Sequence, residues 1–179
     1  MEDREIIEKI RNEKTRDYGF YLLTNNYQER IYWHVRKMVI DHEDANDLVQ
    51  DIFIKIWKKL DSFRAESRLF TWIYRIATNE TLNFLEKKKR RFFLPIHDVA
   101  CELSGKVDEG VLMDGDEISR KLQKALLKLP EKQRLVFNMK YFDDMKFEEI
   151  AEITSTSVGG LKANYHHAVK KIEQILAED

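Results

Sequence analysis

Residues 147–175, FEEIAEITSTSVGGLKANYHHAVKKIEQI, constrain this chain more than any other stretch. Ile150, Ala151 and Ile153 form the apolar side of one short helix. Val158, Leu161, Tyr165, Ala168, Val169 and Ile172 recur at helical spacing along a second. Thr154 to Thr156 leave room only for a tight turn, and Ser157 suits the N-cap that follows, where its hydroxyl can accept from a free backbone N–H. Ala151 is small, as a close helix crossing requires. This is the layout of a helix-turn-helix, in which the second helix can enter the DNA major groove. Such turns usually contain glycine; here Ser155 holds that place.

The second helix leaves Gly160, Lys162, Ala163, Asn164, His166, His167, Lys170 and Lys171 toward solvent, after the capping Ser157. Residues 157–171 hold three lysines, two histidines and no acid. Lysine neutralises phosphate, asparagine can pair bidentately with adenine, and the helix N-terminus can hold a phosphate. The net charge of the chain is −1, so the argument for DNA rests on this local distribution. An ordinary amphipathic helix with a basic outer face would account for the same residues. His166 and His167 point about 100° apart and cannot easily share an ion. No metal or cofactor is expected.

The rest of the chain reads as helix. Only two prolines and six glycines occur in 179 residues, and 35% of residues are charged. Helices are expected at about 4–13, 18–39, from 43 onward, and 67–90. In the second, Phe20, Leu23, Tyr27, Ile31 and Val35 face inward. In the third, Ala45, Leu48, Val49, Ile52, Phe53, Ile56 and Leu60 make a continuous apolar stripe. Its opposite side carries Asp44, Asp47, Gln50, Asp51, Lys55 and Lys58. In the fourth, Leu69, Ile73, Ile76 and Phe84 face inward. Residues 93–116 contain Pro95, three glycines and no sustained period, and read as a linker, in part as an ordered loop. Further helices are expected at about 117–127, 131–141, 147–153 and 157–176, with Pro130 at the first helical position of one of them. The expected fold is all-α: a helical domain over 1–92, a linker over 93–116 and a helix-turn-helix domain over 117–179.

Residues 67–91 combine seven cations with two acids and interleave Phe70, Trp72, Tyr74 and Phe84. Rings beside cations, with amides at Asn79 and Asn83, are equipment for holding single-stranded bases by stacking and edge contacts. The same rings would also serve as core, and the basic run at 87–91 as a solvated helix end. One cysteine, Cys101, excludes an internal disulfide and suits a reducing compartment. The N-terminus lacks an apolar signal core and no run approaches the roughly 20 apolar residues that span a bilayer. A soluble, cytoplasmic protein with no membrane partner is expected.

The order of these parts is specific: DANDLVQDIFIKIW, then DSFRAESRLFTWIYRIATNETLNFL, a basic end, a linker, and finally LPEKQRLVFNMKYFDDMKFEEIAEI and SVGGLKANYHHAVKKI. The chain resembles the extracytoplasmic-function sigma factors, small two-domain bacterial sigma factors, over nearly its whole length apart from the linker. The resemblance implies that Asp47, Leu48, Gln50 and Asp51 match the helix that grips the clamp helices of the largest RNA polymerase subunit. It implies that the loop 61–70, with Arg64, Ser67 and Phe70, captures a flipped base of the non-template strand. Trp72, Tyr74, Arg75, Asn79 and Asn83 then match the helix that opens and reads the −10 element. Extruding a base costs a few kcal/mol, which stacking and edge hydrogen bonds offset. The second module matches the region that reads the −35 element, through Ser157, Gly160, Lys162, Ala163, Asn164, His166, His167 and Lys170. Members often carry serine-arginine and a further arginine in this helix. Ala163, Asn164 and His167 stand there instead, so promoter preference does not carry across. Implied partners are core RNA polymerase, including the flap of its second-largest subunit, promoter DNA, and a restraining anti-sigma factor.

Two other functions fit parts of the chain. A two-domain helix-turn-helix regulator would bind duplex DNA without touching core polymerase, but has no need of the acidic helix or the ring-rich segment. A nucleic-acid enzyme would need a phosphate loop, a carboxylate cluster or a nucleophile–base pair, and the sequence offers none of these.

Overall fold

A computed structural model describes residues 3–92 and 117–178; the expected linker at 93–116 lies outside them. Among the described residues the fold is all-α. The first half contains α1 (Asp3–Arg11), α2 (Arg16–Val39), α3 (His42–Lys59), a single 3₁₀ turn at Leu60–Ser62, and α4 (Leu69–Phe92). The second contains α5 (Glu117–Leu127), α6 (Glu131–Tyr141), α7 (Phe147–Thr154) and α8 (Val158–Glu178).

Local chemistry sets most of these boundaries. Asp41 caps α3, its carboxylate accepting from the Asp44 N–H at 2.9 Å. Gly19 lets α1 cross α2 closely: a Cβ there would lie 2.7 Å from the Ile10 backbone nitrogen. Pro130 precedes α6 rather than occupying its first helical position. Its ψ of 143° is extended, and its carbonyl accepts the first helical bond, from the Arg134 N–H at 2.9 Å. Ser155 ends α7 in the left-handed region at φ 53°, ψ 36°, the conformation for which glycine is usually chosen. The Ser157 hydroxyl accepts from the Gly160 N–H at 3.2 Å and so caps α8, as expected.

All seven residues of the α3 stripe are buried, together with Leu23, Tyr27, Ile31 and Val35 of α2 and Leu69, Ile73 and Ile76 of α4. Phe84 is only half-buried; its neighbour Leu85 is the inward residue. Each fully buried aliphatic side chain contributes roughly 1.5–3 kcal/mol.

The two halves pack against each other, α4 on α7 and α2 on α6. Leu135, Val136, Met139, Met145, Ile150, Ile153 and Leu161 belong to the same continuous apolar cluster as the core of the first half. A smaller cluster of Ala125, Leu126, Leu129, Phe137, Ala168 and Ile172 holds α5, α6 and α8 together. Buried polar side chains fasten the boundary. The Arg134 guanidinium donates to the Met38 carbonyl at 3.1 Å, and the Asn138 amide donates to the Lys37 carbonyl at 3.4 Å. Burial pulls the Arg134 pKa down to about 10. Lys37 pairs with Asp143, whose second oxygen lies 3.8 Å from the His34 ring.

Candidate nucleic-acid and protein interfaces

Three sets of side chains expected from the sequence fall on three separate surfaces. On α3, Asp47, Gln50 and Asp51 are exposed, while Leu48 is 6% exposed and supports the stripe from the core side. Beside them runs an open polar groove between α2 and α3, lined by Asn25, Gln28, Glu29, Tyr32, Asn46, Val49 and Gln50. The His42 ring braces its wall, 2.8 Å from the Tyr32 hydroxyl and 3.0 Å from the Asn46 amide nitrogen. The α2 side of this groove escaped sequence reasoning. Its polar residues sit in a helix otherwise read for its inward face. Asp44, at the start of the stripe, is held by Lys88 of α4 at 2.6 Å.

The ring-and-amide set on α4 divides in two. A helix turns about 100° per residue, so Trp72, Arg75, Asn79 and Asn83 share one face, and Phe70 and Tyr74 lie on another. Asn79 and Asn83 are exposed. Trp72 is half-buried, its ring 5.1 Å from that of Phe63. The Arg75 guanidinium donates to the Glu152 carbonyl of α7 at 2.6 Å. Tyr74 is 3% exposed, its ring centroid 4.3 Å from that of Phe70 and 5.2 Å from that of His34, tilted against both. Burial raises its pKa above the ordinary phenol value. Phe70 and Tyr74 line an interdomain cleft of about 1050 Å³ with residues of α2 and of the segment before α7. In the preceding loop Arg64 is exposed and Ser67 half-buried. The structure thus brings Phe70 and Tyr74 together and sets them apart from the amides.

On α8, Lys162, Ala163, His166, His167 and Lys170 are exposed along one face. Gly160 and Asn164 are half-buried, because they lie on the flank, one helical step nearer the core than the centre of that face. The His166 and His167 rings stand 6.0 Å apart. Among the described residues no cluster of three or more metal-ligating side chains occurs, and no helix is long and apolar enough to cross a membrane.

Comparison with known proteins identifies the family. The family model described as Sigma-70 region 2 matches residues 23–91, and that described as Sigma-70, region 4 matches residues 119–172. The ECF RNA polymerase sigma factor SigW of Bacillus subtilis is 32% identical, the match covering 89% of this chain and 90% of that protein. The ECF RNA polymerase sigma-E factor of Escherichia coli is 31% identical over 97% of this chain and 93% of its own length. Two solved structures share the fold. The sigma factor RpoE in complex with the anti-sigma factor NepR from Bartonella quintana has a TM-score of 0.67 and 24% identity, covering 89% of this chain and 98% of that one. CnrH in complex with the cytosolic domain of CnrY has a TM-score of 0.72 and 21% identity, covering 99% and 98%. With α3 and α4 inside one match and the helix-turn-helix inside the other, this chain belongs to the extracytoplasmic-function sigma factors of RNA polymerase.

Proposed function

We propose that this sigma factor divides promoter recognition and polymerase docking among the three surfaces described above. The observation that carries this reading is their segregation: an outward acidic stripe on α3, an α4 face with exposed Asn79 and Asn83 beside half-buried Trp72, and a basic face on α8. As a sigma factor the chain is a non-enzymatic initiation subunit that directs core polymerase to promoters. Its residue assignments are ours. Asp47, Gln50 and Asp51, held out from the core by Leu48, dock on the basic clamp helices of the largest subunit, and the α2–α3 groove extends that contact. Arg64, Ser67, Phe70, Trp72, Tyr74, Arg75, Asn79 and Asn83 take the non-template strand at the −10 element. The α8 face reads the −35 duplex: Lys162 and Lys170 on phosphates, Ala163, Asn164, His166 and His167 toward base edges, and the Ser157–Gly160 end at the backbone. Residues 1–92 and 117–179 act as the two recognition domains and 93–116 as the tether. The protein works in the cytoplasm beside polymerase, and a partner protein of the anti-sigma kind restrains it. Co-elution with sigma-free core polymerase tests the reading. A stoichiometric complex is expected, and Asp51→Arg should abolish it. If the wild-type chain elutes apart from core, the docking assignment fails and the regulator reading takes its place.

A further inference from the structure

The loop between α3 and α4 is anchored at its ends and strained at its tip. Leu60 and Leu69 are buried on either side of it, and the Phe63 ring packs on Trp72 with centroids 5.1 Å apart. Arg64, Ala65 and Glu66 form an exposed tip. Ala65 lies in the left-handed region at φ 58°, a conformation that strains a residue with a Cβ. Such a conformation persists only where the surroundings hold it.

One end of the loop is held from outside. The guanidinium of Arg16, the first residue of α2, donates two hydrogen bonds to the Asp61 carboxylate, at 2.8 and 3.1 Å, one to each oxygen. The same guanidinium lies over the Trp57 ring, 5.1 Å from its centroid, and Trp57 meets Phe20 of α2 edge-on at 4.9 Å. The Thr15 hydroxyl donates to the Lys9 carbonyl at 2.9 Å and ties this end of α2 to α1. The Asp61 side chain is 77% exposed, so Arg16 is what fixes its direction. Exposed ion pairs are usually weak, but a two-pronged arginine–carboxylate pair sets geometry as well as charge, and the ring beneath it limits how far the arginine can move.

We propose that Arg16, which lies outside the three surfaces assigned above, is a positioning residue for base capture: it fastens Asp61 to α2 and Trp57 and so presets the tip Arg64–Glu66 and Ser67 for the flipped base. The proposal rests on the assignment of the 61–70 loop to the promoter strand. A pocket shaped before the strand arrives loses no binding energy to ordering the loop.

Two readouts keep the clamp and the strand assignment apart. In the first, the free full chain is digested briefly with trypsin, and cleavage after Arg64 is followed by mass spectrometry. Arg16→Ala should speed that cleavage about fivefold with a native circular dichroism spectrum, because local opening governs access to the protease. Unchanged cleavage would overturn the proposal. In the second, holoenzyme made with core polymerase acts on a promoter found by run-off transcription and randomised at its −10 element. Arg16→Ala should slow opening about fivefold and flatten base preference at one −10 position, while capture of core polymerase and upstream protection stay as in wild type. General destabilisation would not single out one base position. Arg16→Asp with Asp61→Arg should restore both opening and preference, and a reversed pair that restores neither would overturn the positioning role. Faster cleavage with unaltered opening and base preference would show that Arg16 holds the loop but the loop takes no base, which removes the loop from the strand assignment and the positioning role with it.

Discussion

The Arg75 guanidinium donates a 2.6 Å hydrogen bond to the Glu152 carbonyl, joining the face of α4 assigned to the promoter strand to the final turn of α7. A residue expected to face DNA is thus engaged by the protein's other half. Asn79 and Asn83, one and two turns further along the same face, remain exposed.

Polymerase docking should depend on the outward acids of α3. Replacing Asp47 and Gln50 by alanine should leave the circular dichroism native, since both are exposed and surface changes usually cost under about 0.5 kcal/mol. Capture of core polymerase should fall strongly. Native spectra with undiminished capture would remove the assignment.

Base reading at the upstream element should involve Asn164. Changing it to alanine should relax preference at one position by about 1–3 kcal/mol in a selected-site experiment. Lys170→Ala, on the exposed face, should weaken all duplexes alike and lower the salt dependence. An unchanged site profile for Asn164→Ala would count against base contact from this flank of α8.

Strand opening should be separable from duplex binding. In holoenzyme, Asn79→Ala with Asn83→Ala should suppress permanganate reactivity of promoter thymines while upstream protection persists. Both side chains are exposed, so folding is not at issue. Trp72→Ala should have the same effect, but its packing on Phe63 requires a thermal melt first. Normal opening by the folded double variant would move base capture to the loop at 61–70.

Closure of the two halves should weaken in acid through Asp143. Burial resists its charge, but the neighbouring His34 ring and Lys37 ammonium outweigh that and hold its pKa below the ordinary carboxylate value. A carboxylate with a depressed folded pKa stabilises the closed form above its unfolded pKa, and that stability is lost as pH falls through the folded one. Urea unfolding should therefore show Asp143→Asn less stable than wild type at pH 7, with the gap shrinking below about pH 4. A gap independent of pH would mean the Asp143 charge contributes nothing.

The α3 stripe was legible because seven apolar residues at helical spacing admit one face, and the cap at Ser157 because local chemistry dictates it. The packing of the halves was not. His34, Arg36, Arg134 and Asn138 are polar, and periodicity reads them outward one helix at a time. Arg134 and Asn138 are buried because α6 lies on α2, a contact between residues about a hundred positions apart that leaves no local trace, and His34 because it meets Thr78 and Tyr74 of α4. Tyr74 belongs with them: its ring reads as a base-stacking residue, yet it packs on His34 and Phe70. The flank position of Asn164 follows from counting 100° steps against the buried residues, which needs the structure to say where the core centre lies.

The most direct test is run-off transcription with sigma-free core polymerase, fragments of the source genome and the purified chain. A discrete promoter-specific transcript should appear only when the chain is added, and should be lost with Asp51→Arg. Transcripts indifferent to the chain, or none from any fragment under conditions where the chain co-elutes with core, would contradict it.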